Sequence, residues 1–281
     1  MIQRIMAVPQ HRPQRNHLLT LLPEDELNAL LPDLERVELE VRDLVYDVNV
    51  PIEYAYFPED GVVSMVGLMS DGTAVEVATV GNEGMLGLPV FLGADSILGQ
   101  AFSQVAGVAF RLRADVFRRA AATGRFQQLM QRYTQAIFTQ VAQNTACNRL
   151  HLTEERFARW LLMTHDRVAR DEFQLTQDFL SQMLGVRRAT VSQIAAQAQK
   201  DGVIEYSRGR MRILDRSALE AGSCECYAII RTEFERLLGK PQGMSELRRK
   251  AQLPDHAADG KSTAGDGARQ QPAGNDAHAS E

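Results

Sequence analysis

Residues 175–194 read Leu-Thr-Gln-Asp-Phe-Leu-Ser-Gln-Met-Leu-Gly-Val-Arg-Arg-Ala-Thr-Val-Ser-Gln-Ile, and this stretch decides the fold of the carboxy-terminal half. Its pattern predicts two short helices joined by a tight turn. Thr176 is expected to cap the first helix, and Gly185 to end it with a positive φ. The second helix is predicted from about residue 187 to residue 200, with Val191 and Ile194 among its buried residues.

The outward face of that second helix is polar and basic. It carries Arg187, Arg188, Ser192 and Gln193. An α-helix fits the major groove of B-DNA, where arginine can bind the two acceptors of a guanine edge. Residues 203–206 and 211–214 predict a hairpin whose turn, residues 207–210, holds Arg208 and Arg210. These arginines are expected to touch phosphates. Together the elements predict a winged helix-turn-helix that binds double-stranded DNA.

Composition limits the other classes of function. A chain of 281 residues with 44% hydrophobic content favours about two globular domains. No apolar run reaches the roughly 20 residues that span a bilayer, and no signal core precedes His17. We therefore expect a cytoplasmic protein without membrane contact. The sequence contains no evident nucleophile–base pair and no phosphate-binding glycine loop, so its motifs do not predict an enzyme.

The chain divides into six predicted segments of an α+β protein. Short β-rich stretches between residues 37 and 110 predict a sandwich or barrel, called the β-roll below. The segments are a flexible amino terminus (1–17), the β-roll (18–125), a dimerisation helix (126–150), the winged helix-turn-helix (151–220), a carboxy-terminal helix (221–240) and a disordered tail (241–281).

The long helix carries a seam with alternating spacings of four and three residues. We take Phe126, Met130, Tyr133, Ile137 and Gln140 as a homodimer interface in which polar Gln140 specifies register. Three heptads are a short coiled-coil signal. The alternative is a helix that packs on the core of its own domain.

These features together resemble the cyclic-AMP receptor and fumarate-nitrate regulator (Crp/Fnr) family over about residues 18–220. The resemblance implies a homodimeric transcription regulator that binds an inverted-repeat operator and contacts RNA polymerase. It also implies that the N-terminal β-roll is a cyclic-nucleotide-binding-like jelly roll that serves as sensor. The second helix is similar to the family's recognition helix. Arg188 matches its guanine-reading arginine, and Thr190 matches a position that contacts phosphate. Ala189 and Gln193 depart from the pattern, so a different operator is expected.

A second resemblance concerns the stretch from Gly81 to Gly93, which is similar to the family's phosphate-binding cassette. The candidate effector pocket comprises Gly84, Met85, Gly87, Gly99, Gln100 and Ala101. Met85 stands where a glutamate would hold the ribose, and Gly99 where an arginine would neutralise the cyclic phosphate. We therefore expect no cyclic AMP binding, while the effector itself is unknown. Alternatively, the glycines serve only the turns of the roll.

The three cysteines, Cys147, Cys224 and Cys226, are interpreted as unpaired thiols. The C-x-C spacing differs from zinc and redox motifs, and His151 shows no ligand spacing, so the sequence predicts neither metal nor cofactor. An alternative function remains open from sequence: a sensor whose winged helix is a protein–protein interaction module.

Overall fold

The computed structural model describes residues 12–168 and 170–240. The predicted disordered tail lies outside the described residues, as do residues 1–11 of the predicted flexible amino terminus. The end of that terminus is not loose, because Asn16 is fully buried and its side-chain amide donates to the carbonyls of Pro58 (2.9 Å) and Gly84 (2.8 Å).

The amino-terminal half is a two-sheet β-roll preceded by short helices. The helices are α1 (His17–Thr20) and α2 (Glu24–Leu30), followed by a 3-10 turn (Leu31–Asp33). The strands are β1 (Glu35–Leu39), β2 (Leu44–Tyr46), β3 (Tyr54–Pro58), β4 (Val62–Leu68), β5 (Ala74–Val80), β6 (Gln100–Val105) and β7 (Gly107–Arg113), with helix α3 (Leu88–Phe91) between β5 and β6. One sheet has the order β1-β7-β3 and the other β2-β6-β4-β5, and all the pairings in both are antiparallel.

Two helices close the roll. Helix α4 (Ala114–Ala120) is followed by the long helix α5 (Gly124–Leu150), which begins two residues before the predicted start. The roll is filled by apolar side chains from both sheets, from α4 and from α5, including Phe57, Phe117 and Phe126. Ring centroids of Phe117 and Phe126 lie 5.7 Å apart at a steep angle, a favourable edge-on arrangement.

The assignment of α5's alternating seam to a dimer interface is wrong in this structure. All five residues are buried within the chain itself, with exposed fractions from 0% to 8%. They are Phe126, Met130, Tyr133, Ile137 and Gln140. The four apolar members fill the roll, while Gln140 donates to the carbonyl of Thr79 at 3.0 Å. Because β5 is an edge strand, the amides of Gln140 and Asn144 satisfy carbonyls that no neighbouring strand reaches.

The carboxy-terminal half contains the predicted helix-turn-helix and wing. Its elements are α6 (Thr153–Val168), β8 (Glu172–Gln174), α7 (Gln177–Leu184), α8 (Arg188–Lys200), β9 (Ile204–Ser207), β10 (Arg210–Ile213), α9 (Arg216–Gly222) and α10 (Cys226–Leu238). Strand β8 precedes the helix pair and pairs with β10, so the wing sheet has three strands, in the order β8-β10-β9. Helix α10 returns to pack along α5, where Phe234 meets Tyr133.

Across residues 12–168 and 170–240, no helix is both long and apolar enough to cross a membrane.

Candidate DNA-binding site and effector loop

The turn between α7 and α8 is built as the sequence predicts. The Thr176 side chain accepts a hydrogen bond from the backbone N–H of Phe179 and so caps α7. Gly185 ends α7 with φ = 64°, a conformation that costs glycine little because it has no Cβ. Val191, Ile194 and Ala195 are buried against the rest of the domain and set the rotation of α8 about its axis.

That rotation leaves the polar residues of α8 at the surface. Arg187, Arg188 and Gln193 are exposed, while Thr190 and Ser192 are half-buried. Arg188 forms an ion pair with Asp178 of α7 (3.3 Å) in which both side chains are 64% exposed. Such exposed pairs contribute at most about 1 kcal/mol, so Arg188 is free to exchange Asp178 for another acceptor. Ser192 is committed within the chain, since its hydroxyl donates to Gln177 at 2.7 Å.

The wing ends in a tight turn that presents arginine. Arg208 has φ = 51° and Gly209 φ = 76°, so both central residues of the hairpin are left-handed, as a two-residue type I′ turn requires. The Arg208 and Arg210 side chains are exposed. Arg210 lies 3.4 Å from Glu172. The wing tip also borders a cleft shared with Val41 and Arg42 of the β-roll.

The winged-helix half and the β-roll share an apolar junction. Phe179 of α7 packs edge-on against Phe102 of β6, with ring centroids 5.8 Å apart. Phe179 also contacts Trp160 of α6. Val62, Val66, Ala74 and Val105 of the roll belong to the same buried cluster as the core of the winged helix. The two halves are therefore packed together rather than merely tethered.

A buried carboxyl lies at the centre of this junction. Glu76 of β5 accepts a hydrogen bond from Trp160 (3.0 Å), and burial raises the pKa of Glu76 to about 7. The Ser64 hydroxyl lies 2.8 Å from Glu76 Oε2 and 2.6 Å from Gln104 Oε1. One hydroxyl proton cannot serve two acceptors. A protonated Glu76 resolves the conflict, because it donates to Ser64 and Ser64 then donates to Gln104.

The loop that resembles the phosphate-binding cassette is filled by the chain itself. Met85 is 1% exposed, and its carbonyl accepts a hydrogen bond from the Tyr133 hydroxyl at 2.8 Å. A Cβ at Gly84 would lie 2.5 Å from Tyr133 atoms, so the glycine is needed for this close approach. Burial raises the pKa of Tyr133, which therefore keeps its proton.

The same loop is joined to the winged-helix half by a buried ion pair. Arg167 of α6 lies 2.8 Å from Glu83, and its other nitrogens donate to Met163 and Thr79 carbonyls. Both partners are nearly enclosed, with 7% and 11% of their side chains exposed. Truncating either one would leave a buried, uncompensated charge, which is strongly destabilising.

Of the other candidate effector residues, Gly99, Gln100 and Ala101 lie on or next to β6, and Gly87 directly precedes α3. A Cβ at Gly99 would stand 2.2 Å from the Val66 carbonyl oxygen, so no larger residue fits without moving the backbone. Gln100 donates to Asp47 (2.8 Å), and Ala101 is fully buried. Gly87 has φ = 103° and approaches Ala55 closely. These residues support the close packing of the roll.

The fold defines a class of architecture: an amino-terminal β-roll, a long helix and a carboxy-terminal winged helix-turn-helix. Residues 155–221 match the Crp-like helix-turn-helix domain, which confirms the resemblance inferred from the motif. The chain combines this domain with the fold of solved Crp/Fnr-family transcriptional regulators.

Solved structures show the same architecture. FixK2 from Bradyrhizobium japonicum is 18% identical with a TM-score of 0.59, and the match covers 68% of this chain and 98% of that one. A CRP-family transcriptional regulator from Thermus thermophilus is 21% identical with a TM-score of 0.56, covering 66% and 96%. The c-di-GMP responsive regulator CLP of Xanthomonas campestris is 13% identical with a TM-score of 0.53, covering 68% and 99%. No curated protein sequence matches the chain significantly.

Sequence reasoning missed two features. The first is a stripe of exposed apolar residues on α5, four residues apart: Phe138, Ala142, Ala146 and Leu150. Phe138 is 69% and Leu150 75% exposed.

The second feature that sequence reasoning missed is the convergence of the three cysteines with His151. The cysteines are unpaired and buried, as expected for free thiols, but they lie together. The stripe's 4-4-4 spacing is visible in the sequence, whereas nothing there signals the second feature.

Proposed function

We propose that this protein regulates transcription by binding an inverted-repeat operator in duplex DNA as a homodimer. The observation that carries the proposal is the surface formed by α8 and the wing, where Arg187, Arg188, Arg208 and Arg210 are all exposed. Arg188 is assigned to guanine, and the wing arginines to phosphates. Thr190, Ser192 and Gln193 complete the proposed interface. We place the protein in the cytoplasm with its DNA. RNA polymerase is proposed as a partner on the family resemblance alone.

The exposed stripe of α5 is the surface we assign to the dimer. Phe138 and Leu150 are large apolar side chains that water surrounds in the single chain. Ala142 and Ala146 between them are small enough to let a second helix approach closely. A two-fold axis at this stripe would place two recognition helices on one side of the molecule, as an inverted repeat requires.

The dimer is tested by sedimentation velocity of the full chain. Phe138→Glu together with Leu150→Glu places charges at the seam and should give monomers that stay folded, because both side chains are exposed within the chain. Asn28→Glu, exposed on α2 and so outside α5, is the control for an added surface charge and should leave the dimer intact. A double variant that sediments as wild type would remove the assignment.

The operator is tested by selecting bound duplexes from genomic DNA and footprinting the enriched sequence. We expect an inverted repeat with half-site centres about one helical turn, ~34 Å, apart. No enrichment over random duplexes, combined with retention of a protein partner, would favour the winged helix as a protein interaction module.

We also propose that cyclic AMP is not the effector. Tyr133 occupies the space next to Gly84, Met85 is buried, and the backbone at Gly99 leaves no room for an arginine side chain. A cyclic phosphate in the roll would therefore lack a cationic partner at this position, which makes its burial costly. Isothermal titration calorimetry with cyclic AMP should give no heat of binding, and micromolar affinity would contradict the assignment.

A further inference from the structure

Four side chains with sulfur and nitrogen donors converge where α5 meets the carboxy-terminal helices. Cys147 lies in the last turn of α5, and His151 directly follows the end of that helix. Cys224 lies two residues before α10, and Cys226 is the first residue of α10. Their three sulfurs and one imidazole nitrogen all lie within 4.8 Å of one another. The Cys147 and Cys224 sulfurs are 3.5 Å apart, and the Cys226 sulfur is 3.4 Å from His151 Nδ1.

These separations are close to the edges of a zinc coordination tetrahedron. With Zn–S near 2.3 Å and Zn–N near 2.0–2.1 Å, a tetrahedral ion holds its sulfur ligands about 3.8 Å apart and sulfur and nitrogen about 3.6 Å apart. Three cysteines and one histidine form one of the ligand sets that structural zinc sites use. All three cysteines are at least 95% buried, as in a closed site.

The groups around the cluster match those that usually support metal ligands. His151 turns Nδ1 to the sulfurs and Nε2 to the Glu225 carboxylate, 3.2 Å away. A carboxylate on the second ring nitrogen is the common way to orient a zinc-bound histidine. Gln143 donates an amide N–H to the Cys226 sulfur at 3.1 Å, a contact that stabilises a thiolate more than a thiol.

Two buried arginines supply positive charge beside the sulfurs. Arg156 and Arg159 are 8% and 5% exposed, and in the described part of the chain neither has a carboxylate at salt-bridge distance. The Nε atoms of both lack any hydrogen-bond partner among these residues. Arg156 acts electrostatically on Cys147 and Cys224, and Arg159 on Cys147. Three thiolates around one Zn²⁺ carry a net charge of −1, which these buried cations would compensate.

We propose that Cys147, His151, Cys224 and Cys226 bind one Zn²⁺ ion in a closed tetrahedral site. The ion joins the end of α5, the α5–α6 boundary and the segment that leads into α10. It therefore fixes the point where the chain leaves the long helix for the DNA-binding half. Three thiols lose their protons on binding, so zinc uptake releases up to three protons near neutral pH.

A disulfide between Cys147 and Cys224 explains less of the arrangement. It would use two of the four groups and leave both Cys226 and the inward-facing imidazole nitrogen of His151 without a role. The sulfur separation of 3.5 Å is that of thiols in contact, far from the bonded distance of about 2.05 Å.

The test uses the full chain, reduced, stripped of metal with a chelator and titrated with Zn²⁺ against a competing chromophoric chelator. We expect one Zn²⁺ per chain. Cobalt(II) in its place should show the intense visible bands of a tetrahedral ion and a sulfur-to-cobalt charge-transfer band. Cys147→Ser, Cys226→Ser and His151→Ala should each weaken zinc binding more than 100-fold. Thr145→Ser, two residues from Cys147 and exposed, is the matched control and should bind as wild type.

Glu225→Gln keeps the test decisive if a cysteine variant fails to fold. Its side chain is 67% exposed, so the substitution spares the fold, yet it should lower zinc affinity about 10–100-fold by removing the partner of His151 Nε2. The proposal is overturned if the reduced wild-type chain binds Zn²⁺ no more tightly than Cys226→Ser. An octahedral cobalt spectrum, or zinc affinity unchanged by Glu225→Gln, would also contradict the assigned ligands.

Discussion

Helices α8 and α5 are both amphipathic, and both were assigned binding surfaces from their sequence patterns. In α8 the apolar residues are buried and the polar residues face outward, so the residues proposed for DNA are available to it. In α5 the apolar seam with alternating spacing is buried in the roll, and the exposed apolar surface is the stripe from Phe138 to Leu150, which is proposed for the dimer.

The difference shows what an apolar pattern can and cannot specify. The hydrophobic effect has no direction beyond removal from water, so a seam gains the same free energy from its own sheet as from another subunit. Polar residues of α8 are informative because burial without partners would cost energy, which keeps them outside. In α5 even Gln140 and Asn144 are buried, because the edge of β5 offers them carbonyls.

The largest expected effect separates the two faces of α5. Tyr133→Ala removes a fully buried ring and its hydrogen bond to Met85, and should lower the free energy of unfolding by about 3–5 kcal/mol. Phe138→Ala is the matched control and should change the stability of the monomer fold by less than about 0.5 kcal/mol. Urea unfolding, carried out at a protein concentration low enough to dissociate dimers, measures the stability of both variants. Equal decreases in the free energy of unfolding for the two variants would contradict the burial of the seam within the chain.

A second effect belongs to the junction between the roll and the winged helix. Because Glu76 titrates near 7 when folded and at 4.5 in its reference state, the unfolded chain ionises first as pH rises. The contribution of protonated Glu76 to the free energy of unfolding is fully present below about pH 4.5. It is lost as the pH rises to about 7, which lowers the free energy of unfolding by about 3 kcal/mol.

Glu76→Gln should abolish that loss while preserving the contacts with Trp160 and Ser64. The difference in unfolding free energy between wild type and variant should therefore shift by about 3 kcal/mol between pH 4.5 and pH 8. Glu205→Gln, an exposed control, should show almost no shift. Parallel pH profiles of wild type and Glu76→Gln would mean that the carboxyl titrates normally.

The outward face of α8 is tested by Arg188→Ala. Losing a bidentate contact with guanine should cost about 1–3 kcal/mol per half-site on the operator and much less on scrambled duplex. Lys200→Ala, on the exposed last turn of the same helix, is the control for general charge. Equal losses on both duplexes would remove Arg188 from base reading.

The smallest expected effect concerns the wing. Arg208→Ala should weaken operator and scrambled DNA alike and lower the magnitude of the salt dependence of binding by about one unit per contact. Binding isotherms at several salt concentrations measure it. A loss confined to the operator would instead assign Arg208 to a base edge.

The sequence predicted local structure correctly where the residues that form it are adjacent in the chain. Thr176, Gly185 and the hairpin around Arg208 and Gly209 lie where predicted, because caps and tight turns are set by a few adjacent residues. Strand β8 was missed, since three residues carry no periodicity and are defined only by their pairing with β10.

The amino-acid sequence by itself determined the α+β class, the winged helix-turn-helix and the basic surface of α8, because alternation, helical spacing and turn residues act over short ranges. Only the tertiary structure decided which face of α5 is exposed, how Tyr133 and Arg167 hold the loop from Gly81 to Gly93, and that Cys147 and His151 meet Cys224 and Cys226. Those contacts join residues at least 48 positions apart in the chain. Their formation depends on the packing of helices, strands and loops that are distant in sequence, which no local pattern encodes.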